Sequence, residues 1–495
     1  MIPNVQVVSE SPVIGRTSTI DDLLKAKHEQ EMSGAEATIL TMMGLNPVVF
    51  GLPGGAILPL EQYITAYKSC FRYFQVKHEM HAPVAAGAYG EVAGVPAFAL
   101  VTSGPGVANS MTGLYENEME FERSVTVSGN GFLDVLKDRR KRGFQVARAV
   151  EGGLAFGKNA YLVEDRNTIQ RILIDAFRES MTLPFGSILV DIPKDIQTKG
   201  TTRFEYFEPP KLDNQYTGNL DYKVLHEFDE ALKSASRPFV VIGRGALHAR
   251  AEVWELIERI GLPFGYTLKG KGVLPDDHPQ NYGLVGQHGK ISTNEAIENA
   301  DLVLMIGCNG DDRAFLNPEN FTKGKRAVIN PYLTNALARL KIDYPIGVDA
   351  KLALTELLKH VEGDEQHEKL MPWNAKIREA YDGEEVYNTK GNGMSPVDFM
   401  NGINEFANPE MLVLDVGEHQ MHAAKLIRLN SGFYYGSELY GHTPPEKRRS
   451  YKRRVYTSGT SGTMATSIEK AFGAKVANPN TDVYVVIGDG GSEMH

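Results

Sequence analysis

An α/β fold built on mainly parallel sheets follows from three features of the sequence. Short apolar runs alternate with stretches of helical apolar period, and Gly or Pro marks most of the changes between them. The chain has 495 residues, enough for about three domains of ordinary size. Strands that alternate with helices are joined by crossovers, and crossovers bring parallel pairing with them. An apolar fraction of 42% with 23% charged residues supplies ordinary cores and excludes disordered or collagen-like chains. The net charge of −10 argues against a nucleic-acid or anionic-membrane partner, because a phosphate-binding face shows as a basic excess. Two cysteines, Cys70 and Cys308, stand far apart; they offer no metal-site spacing and suit a reducing compartment. No apolar run is long enough to span a bilayer, and the first residues lack the basic start and apolar centre of a signal peptide. A cytoplasmic protein is expected.

The elements follow in order. Residues 1–30 read as an N-terminal extension with a short helix around Asp21–Glu31. A first domain, 31–200, carries a helix at Ala35–Met43 and a strand at Pro47–Phe50 that ends in Gly51-Leu52-Pro53-Gly54-Gly55. A helix of small residues runs from Ala82 to Ala93, and the strand Pro96–Val101 closes in Ser103-Gly104-Pro105-Gly106. Asn167 can cap a helix whose apolar positions are Ile169, Ile172, Leu173, Ala176 and Phe177, and the strand Ile188–Ile192 follows. Residues 201–225, with Pro209 and Pro210, read as a linker. The central domain, 226–360, holds the strand Phe239–Ile242, the turn Gly243-Arg244-Gly245, a helix through Val253, Leu256, Ile257 and Ile260 stopped by Gly261, and the strand Leu302–Ile306. A polar stretch, 361–394, reads as a second linker. The third domain, 395–495, contains strands at Leu412–Leu414 and Val483–Ile487. Two basic clusters, Lys137–Arg142 and Lys447–Arg454, read as solvated loops in so acidic a chain.

Three glycine-rich turns at strand ends, 51–55, 103–106 and 488–491, are the first chemical signal. Parallel sheets bind ligands at the carboxyl ends of their strands, and glycine lets backbone approach a ligand closely. Asp489 stands between two such glycines at a strand tip, where a hard oxygen ligand suits Mg²⁺ on phosphate oxygens. Glu79, in Lys77-His78-Glu79-Met80-His81, precedes the small-residue helix. Close packing there would desolvate its carboxyl and raise its pKa, which suits proton exchange with a cofactor nitrogen. Taken alone, a surface Glu beside a Lys is the simpler reading.

The ordered set tells more. Val49–Pro59, Lys77-His78-Glu79, Leu100–Gly106, Val190–Asp195, Gly283–Gly289, Asp415–Met421, Thr457–Met464 and Gly488–Gly491 together resemble the thiamine-diphosphate enzymes of the acetolactate synthase group, nearest the catalytic large subunit, from about Met32 to His495. The resemblance implies three doubly wound parallel-sheet domains: pyrimidine-binding, central and diphosphate-binding. It implies a homodimer or higher oligomer in which Glu79 of one chain meets the cofactor held by the other, and 2-keto acids as substrates. Glu79 would protonate the aminopyrimidine. The cofactor ylid would attack pyruvate, decarboxylate it, and condense the enamine with a second 2-keto acid. Gly55, Gln145 and Lys194 match active-site lining positions. Pro53, Gly54, Gly417, Glu418, His419, Gln420, Met421, Gly462, Met464, Gly488, Gly490 and Gly491 match cofactor contacts, and Asp489 the first Mg²⁺ ligand. A small regulatory subunit is a further partner that the family allows.

The departures set the alternatives. Gly243, Gly245, Thr267, Leu268, Gly286, His288 and Arg313 match an FAD site. Asn309, Asn330 and Leu183-Pro184-Phe185-Gly186 replace charged positions of that site, which leaves FAD open. Leu52 stands where tyrosine is common, Glu469 and Lys470 where small apolar residues are usual, and Ser437–Arg454 is longer than expected. The resemblance implies that the metal motif closes with an Asn, followed by further strands and a lid segment, all absent from this sequence, so the third domain is expected to be incomplete. The open readings are therefore an acetolactate synthase-type carboligase, alone or completed by a second C-terminal polypeptide; another thiamine-diphosphate decarboxylase, oxidase or carboligase; and a catalytically incomplete chain.

Overall fold

The computed structural model describes residues 17–138, 143–210, 219–315, 317, 321–383, 393–407, 409–431 and 443–495. These fold into two compact units. The first comprises the described residues up to 210 with Ile468–Thr481 and His495; the second runs from 219 to Ser467 with Asp482–Met494.

The first unit is built on a six-stranded sheet, all of it parallel. Its strands lie in the order Arg72–Gln75, Val48–Gly51, Ala97–Val101, Ser124–Asn130, Ser187–Pro193, Asn159–Leu162. Continuous apolar burial along Val48–Gly51 and Ala97–Val101 reflects helices on both faces. One face packs Gly34–Leu45 and Ile169–Ser180, the other His81–Ala93 and Pro105–Met119. The small residues of His81–Ala93 are needed there, since a Cβ on Gly90 would lie 2.1 Å from the Arg123 carbonyl oxygen.

In the second unit the central sheet lies in the order Asn281–Leu284, Phe264–Tyr266, Pro238–Ile242, Leu302–Ile306, Lys325–Ile329, Tyr344–Ile346. In chain order this is 3-2-1-4-5-6, the dinucleotide-fold arrangement. A three-stranded parallel sheet, Arg454–Thr457, Met411–Leu414, Val483–Val486, completes it.

Several expectations are corrected. The stretch 361–394 is not simply a linker: Asp364–Asp382 is a helix with Pro372 inside it, and Leu370, Trp373 and Ile377 are buried in the second unit's core. Trp373 Nε1 donates to the Pro238 carbonyl and Asn374 Nδ2 to that of Gly261. The proline and the polar exposed face hid a genuine i, i+3, i+7 apolar stripe. The 201–225 linker starts as a strand, Thr202–Arg203, antiparallel to Glu31–Met32, and the helix Tyr222–Ser234 begins before 226. Within the 1–30 extension, the helix Ser18–Lys27 buries Ile20 and Leu24. Asp165, not Asn167, supplies the capping oxygen before Ile169–Ser180, through a short turn. Most of the helix Ser467–Ala477 groups with the first unit, where Phe472 meets Phe50 and Phe74 edge-on. In the second basic cluster, Arg448 is 6% exposed and bonds Glu258 Oε2 at 3.0 Å, so it is a structural cation rather than a solvated one. Residues 139–142 of the first cluster lie outside the described residues, as do 437–442 of the long segment.

Candidate active site

Two clusters of the expected residues sit where strand order reverses, at the carboxyl ends of neighbouring strands. In the first unit that point lies between Val48–Gly51 and Ala97–Val101. Thr102 is its centre. Its Oγ1 accepts from the Ala56 N–H (3.2 Å). A Cβ on Gly54 would fall 2.4 Å from the Thr102 Cβ, and one on Gly106 2.6 Å from its methyl. Only glycine lets these two turns close on the threonine. Glu79 follows the strand Arg72–Gln75 and is half-buried. Its Oε2 accepts from Asn109 Nδ2 at 3.0 Å, and its Oε1 borders Gly106. Gln145 takes φ 55° and backs onto Gly104, itself at φ 63°. Lys194, exposed after the strand Ser187–Pro193, donates to the Gly55 carbonyl at 3.4 Å. Pro53 and Gly55 are exposed, with open space beside Gly55. Pro53, Gly54, Gly55, Glu79, Gln145 and Lys194 thus gather at one sheet edge. Thr102 and Asn109 were not singled out from the sequence, although Thr102 lies in the glycine-rich run Leu100–Gly106. Behind this edge Asp191 is fully buried, accepting from Ser128 Oγ and Asn130 Nδ2, both at 2.7 Å; burial pushes its carboxyl up to about 6.

In the second unit, the three-stranded sheet reverses between Met411–Leu414 and Val483–Val486. Asp415, buried, accepts from the Ala465 N–H (3.1 Å) and the Thr466 N–H (3.4 Å). A Cβ on Gly491 would lie 2.1 Å from Asp415 Oδ2. Asp415 therefore ties the Gly462–Met464 turn to the Gly488–Gly491 turn, a role that sequence reasoning missed. Gly417 and Gly488 both face the His419 ring, whose buried Nε2 has no hydrogen-bond partner among the described residues. Met464 is 44% exposed and reaches Gly490, and Asp489 presents an exposed carboxylate. Gly462 has open space around it at φ 70°, and Glu418 is exposed. Gln420 does not join them: it is buried and donates to Thr457 Oγ1 at 2.6 Å, bracing helix against strand. Met421 lines a different cleft. The glycine cradle and the unpartnered His419 nitrogen fit a bound diphosphate, and Asp489 fits a hard cation.

The central sheet reverses between Pro238–Ile242 and Leu302–Ile306, but there the chain fills the gap itself. Cβ atoms on Gly243 and Gly245 would fall 2.3 Å from the Gly307 oxygen and 2.8 Å from the Gly307 Cα. A Cβ on Gly286, at φ 92°, would meet the Arg313 oxygen at 2.2 Å. These three glycines serve backbone contacts. Thr267, Leu268, His288 and Arg313 instead line a cleft with Met421 and Gly459. Arg313 Nη1 donates to the Gly459 carbonyl (2.9 Å) and Lys269 Nζ to Thr460 Oγ1 (2.9 Å). Burial, with the charges of Arg313 and Lys425, holds His288 below its ordinary pKa. The two departures Asn309 and Asn330 answer each other: Asn330 Nδ2 donates to Asn309 Oδ1 at 3.1 Å and to the Cys308 carbonyl at 2.9 Å. The two amides thus form a hydrogen-bonded pair.

Residues 32–142 match the N-terminal TPP binding domain of thiamine pyrophosphate enzymes, 225–357 their central domain and 415–495 their C-terminal TPP binding domain. Acetolactate synthase of Mycobacterium bovis is 30% identical over 479 residues, covering 94% of this chain and 73% of the relative. The acetolactate synthase large subunit of Lactococcus lactis is 29% identical, with 95% and 78% covered. The isozyme 1 large subunit of Escherichia coli is 27% identical, with 94% and 78% covered. By these matches the chain belongs to the thiamine-pyrophosphate-dependent acetolactate synthase family and is an enzyme of that carboligase type.

Proposed function

We propose that Glu79 is the proton-exchanging carboxylate of this enzyme and that pyruvate is its first 2-keto acid. The observation that carries the reading is the convergence of Glu79, Asn109, Gly106, Thr102 and Gly54 at one switch point. Thiamine diphosphate, when bound, supplies the electron sink for decarboxylation and carbon–carbon bond formation. The protein supplies position and protons. Asn109 fixes Glu79 Oε2, which leaves Oε1 beside Gly106 to give or take a proton at a ring nitrogen. Lys194 offers an exposed cation to a substrate carboxylate, and Gln145 a polar group beside the Gly104 turn. In the second unit, His419, Gly417 and Gly488 are the diphosphate-side candidates, with Met464 next to Gly490 and Asp489 as the first protein ligand of Mg²⁺.

The Thr267–Arg313 cleft, about 40 Å³ in volume, does not accommodate a whole FAD as it stands; visible flavin absorbance of the purified chain tests whether FAD binds. A homodimer, a small partner of the kind implied by relatives called large subunits, cytoplasmic residence and a role in branched-chain amino acid synthesis complete the reading. Among the described residues no helix is long and apolar enough to cross a membrane. The decisive experiment supplies pyruvate, thiamine diphosphate and Mg²⁺ to the chain and measures acetolactate. Product that appears with the native chain and collapses with Glu79→Gln supports the assignment; equal product from both overturns it.

A further inference from the structure

Two of the sequence departures meet in the first unit. Lys470 is fully buried and bonds Glu116 at 2.9 Å and Glu122 at 2.6 Å, so its charge is answered. Glu469, one residue earlier, faces two imidazoles instead. Its Oε1 is 3.1 Å from His81 Nδ1 and 3.1 Å from His495 Nδ1, and the three side chains are only 10%, 3% and 11% exposed. All three ligand atoms lie within 4.8 Å of one another, and the two rings are 4.9 Å apart.

We propose that His81, Glu469 and His495 form a site for a divalent transition-metal ion of the zinc class. Ligand atoms about 2.0–2.1 Å from one tetrahedral ion stand roughly 3.3 Å from each other, close to the spacing found here. Two imidazole nitrogens and one carboxylate oxygen select zinc-like ions over Mg²⁺, which prefers oxygen and water. Metal binding needs neutral imidazole. A buried carboxylate at a position an apolar residue could fill costs desolvation, and a bound cation offsets that cost. His81 opens the helix His81–Ala93, directly after the turn that carries Glu79. An ion here would fix that turn without touching the proposed proton-exchange group. The donor set is separate from Asp489, so this proposal does not depend on the carboligase reading.

The test uses the full chain, purified without a histidine tag and stripped with chelator, in the absence of thiamine diphosphate. Calorimetry with Zn²⁺ alone and with Mg²⁺ alone, and Co²⁺ substitution read by visible absorbance, report the site directly. Saturable zinc binding and a tetrahedral cobalt spectrum are expected, with affinity reduced at least about 100-fold in Glu469→Gln and in His495→Ala. Glu469→Gln can still accept the two imidazole N–H bonds, and circular dichroism confirms that both variants are folded. Absence of zinc uptake by the native chain, or uptake undiminished in both folded variants, would mean that Glu469 only accepts hydrogen bonds and would overturn the proposal.

Discussion

The two six-stranded sheets end alike in sequence and differently in space. Each has a glycine-rich turn where strand order reverses. In the first unit, Gly54 and Gly106 close on Thr102, leaving open space beside Gly55. In the central sheet, Gly243 and Gly245 close on Gly307, and the gap is filled by the chain's own backbone. A glycine turn reports that something approaches the backbone closely. It does not report whether that something is a ligand or another loop.

Four measurements sharpen or break this contrast. The largest effect is expected from Glu79→Gln, which should lower acetolactate formation roughly 10²–10⁴-fold with no change in thermal unfolding. An active variant would remove the functional meaning of the open edge. Next, Gly243→Ala should destabilise the chain by about 1–3 kcal/mol, because its Cβ meets the Gly307 oxygen; unfolding monitored by circular dichroism measures it. A stable Gly243→Ala would show that the central gap is looser than the backbone contact indicates.

The third concerns pH. Asp191 beneath the open edge has a carboxyl raised from 3.8 to about 6 by burial. Protonation thus favours the folded state: its contribution is complete below 3.8 and is lost as pH rises through about 6. Asp191→Asn, whose amide can donate to a turned Ser128 hydroxyl, should remove that decline, so that its melting temperature gains on the native chain between those values and runs parallel above them. The smallest effect is expected at Gly55→Ala, under about 1 kcal/mol in stability, since nothing lies within 4 Å of the new methyl. A large loss of stability there would mean that the space is not open.

Much of this architecture is legible in the amino-acid sequence. The parallel strands at 48–51, 97–101, 238–242 and 302–306 show as apolar runs because strands buried on both faces carry no polar alternation. The gathering of Glu79, Gln145 and Lys194 came through the resemblance rather than from spacing, since they follow three different strands. Helix Asp364–Asp382 was hidden by its proline and polar surface. The departures Asn309 and Asn330 looked like two weakened contacts, and the structure joins them.

By itself, the sequence determined the α/β class, the strand positions and the family, because periodicity and ordered motifs are local or collinear properties. Tertiary structure alone decided which glycines face open space, that Gln420 is a brace, and that Asp415 ties two turns together. It also decided that Glu469 faces two histidines, one of them far from it in the chain. Those facts depend on which backbone or side chain arrives from another segment, and no local pattern records that arrival.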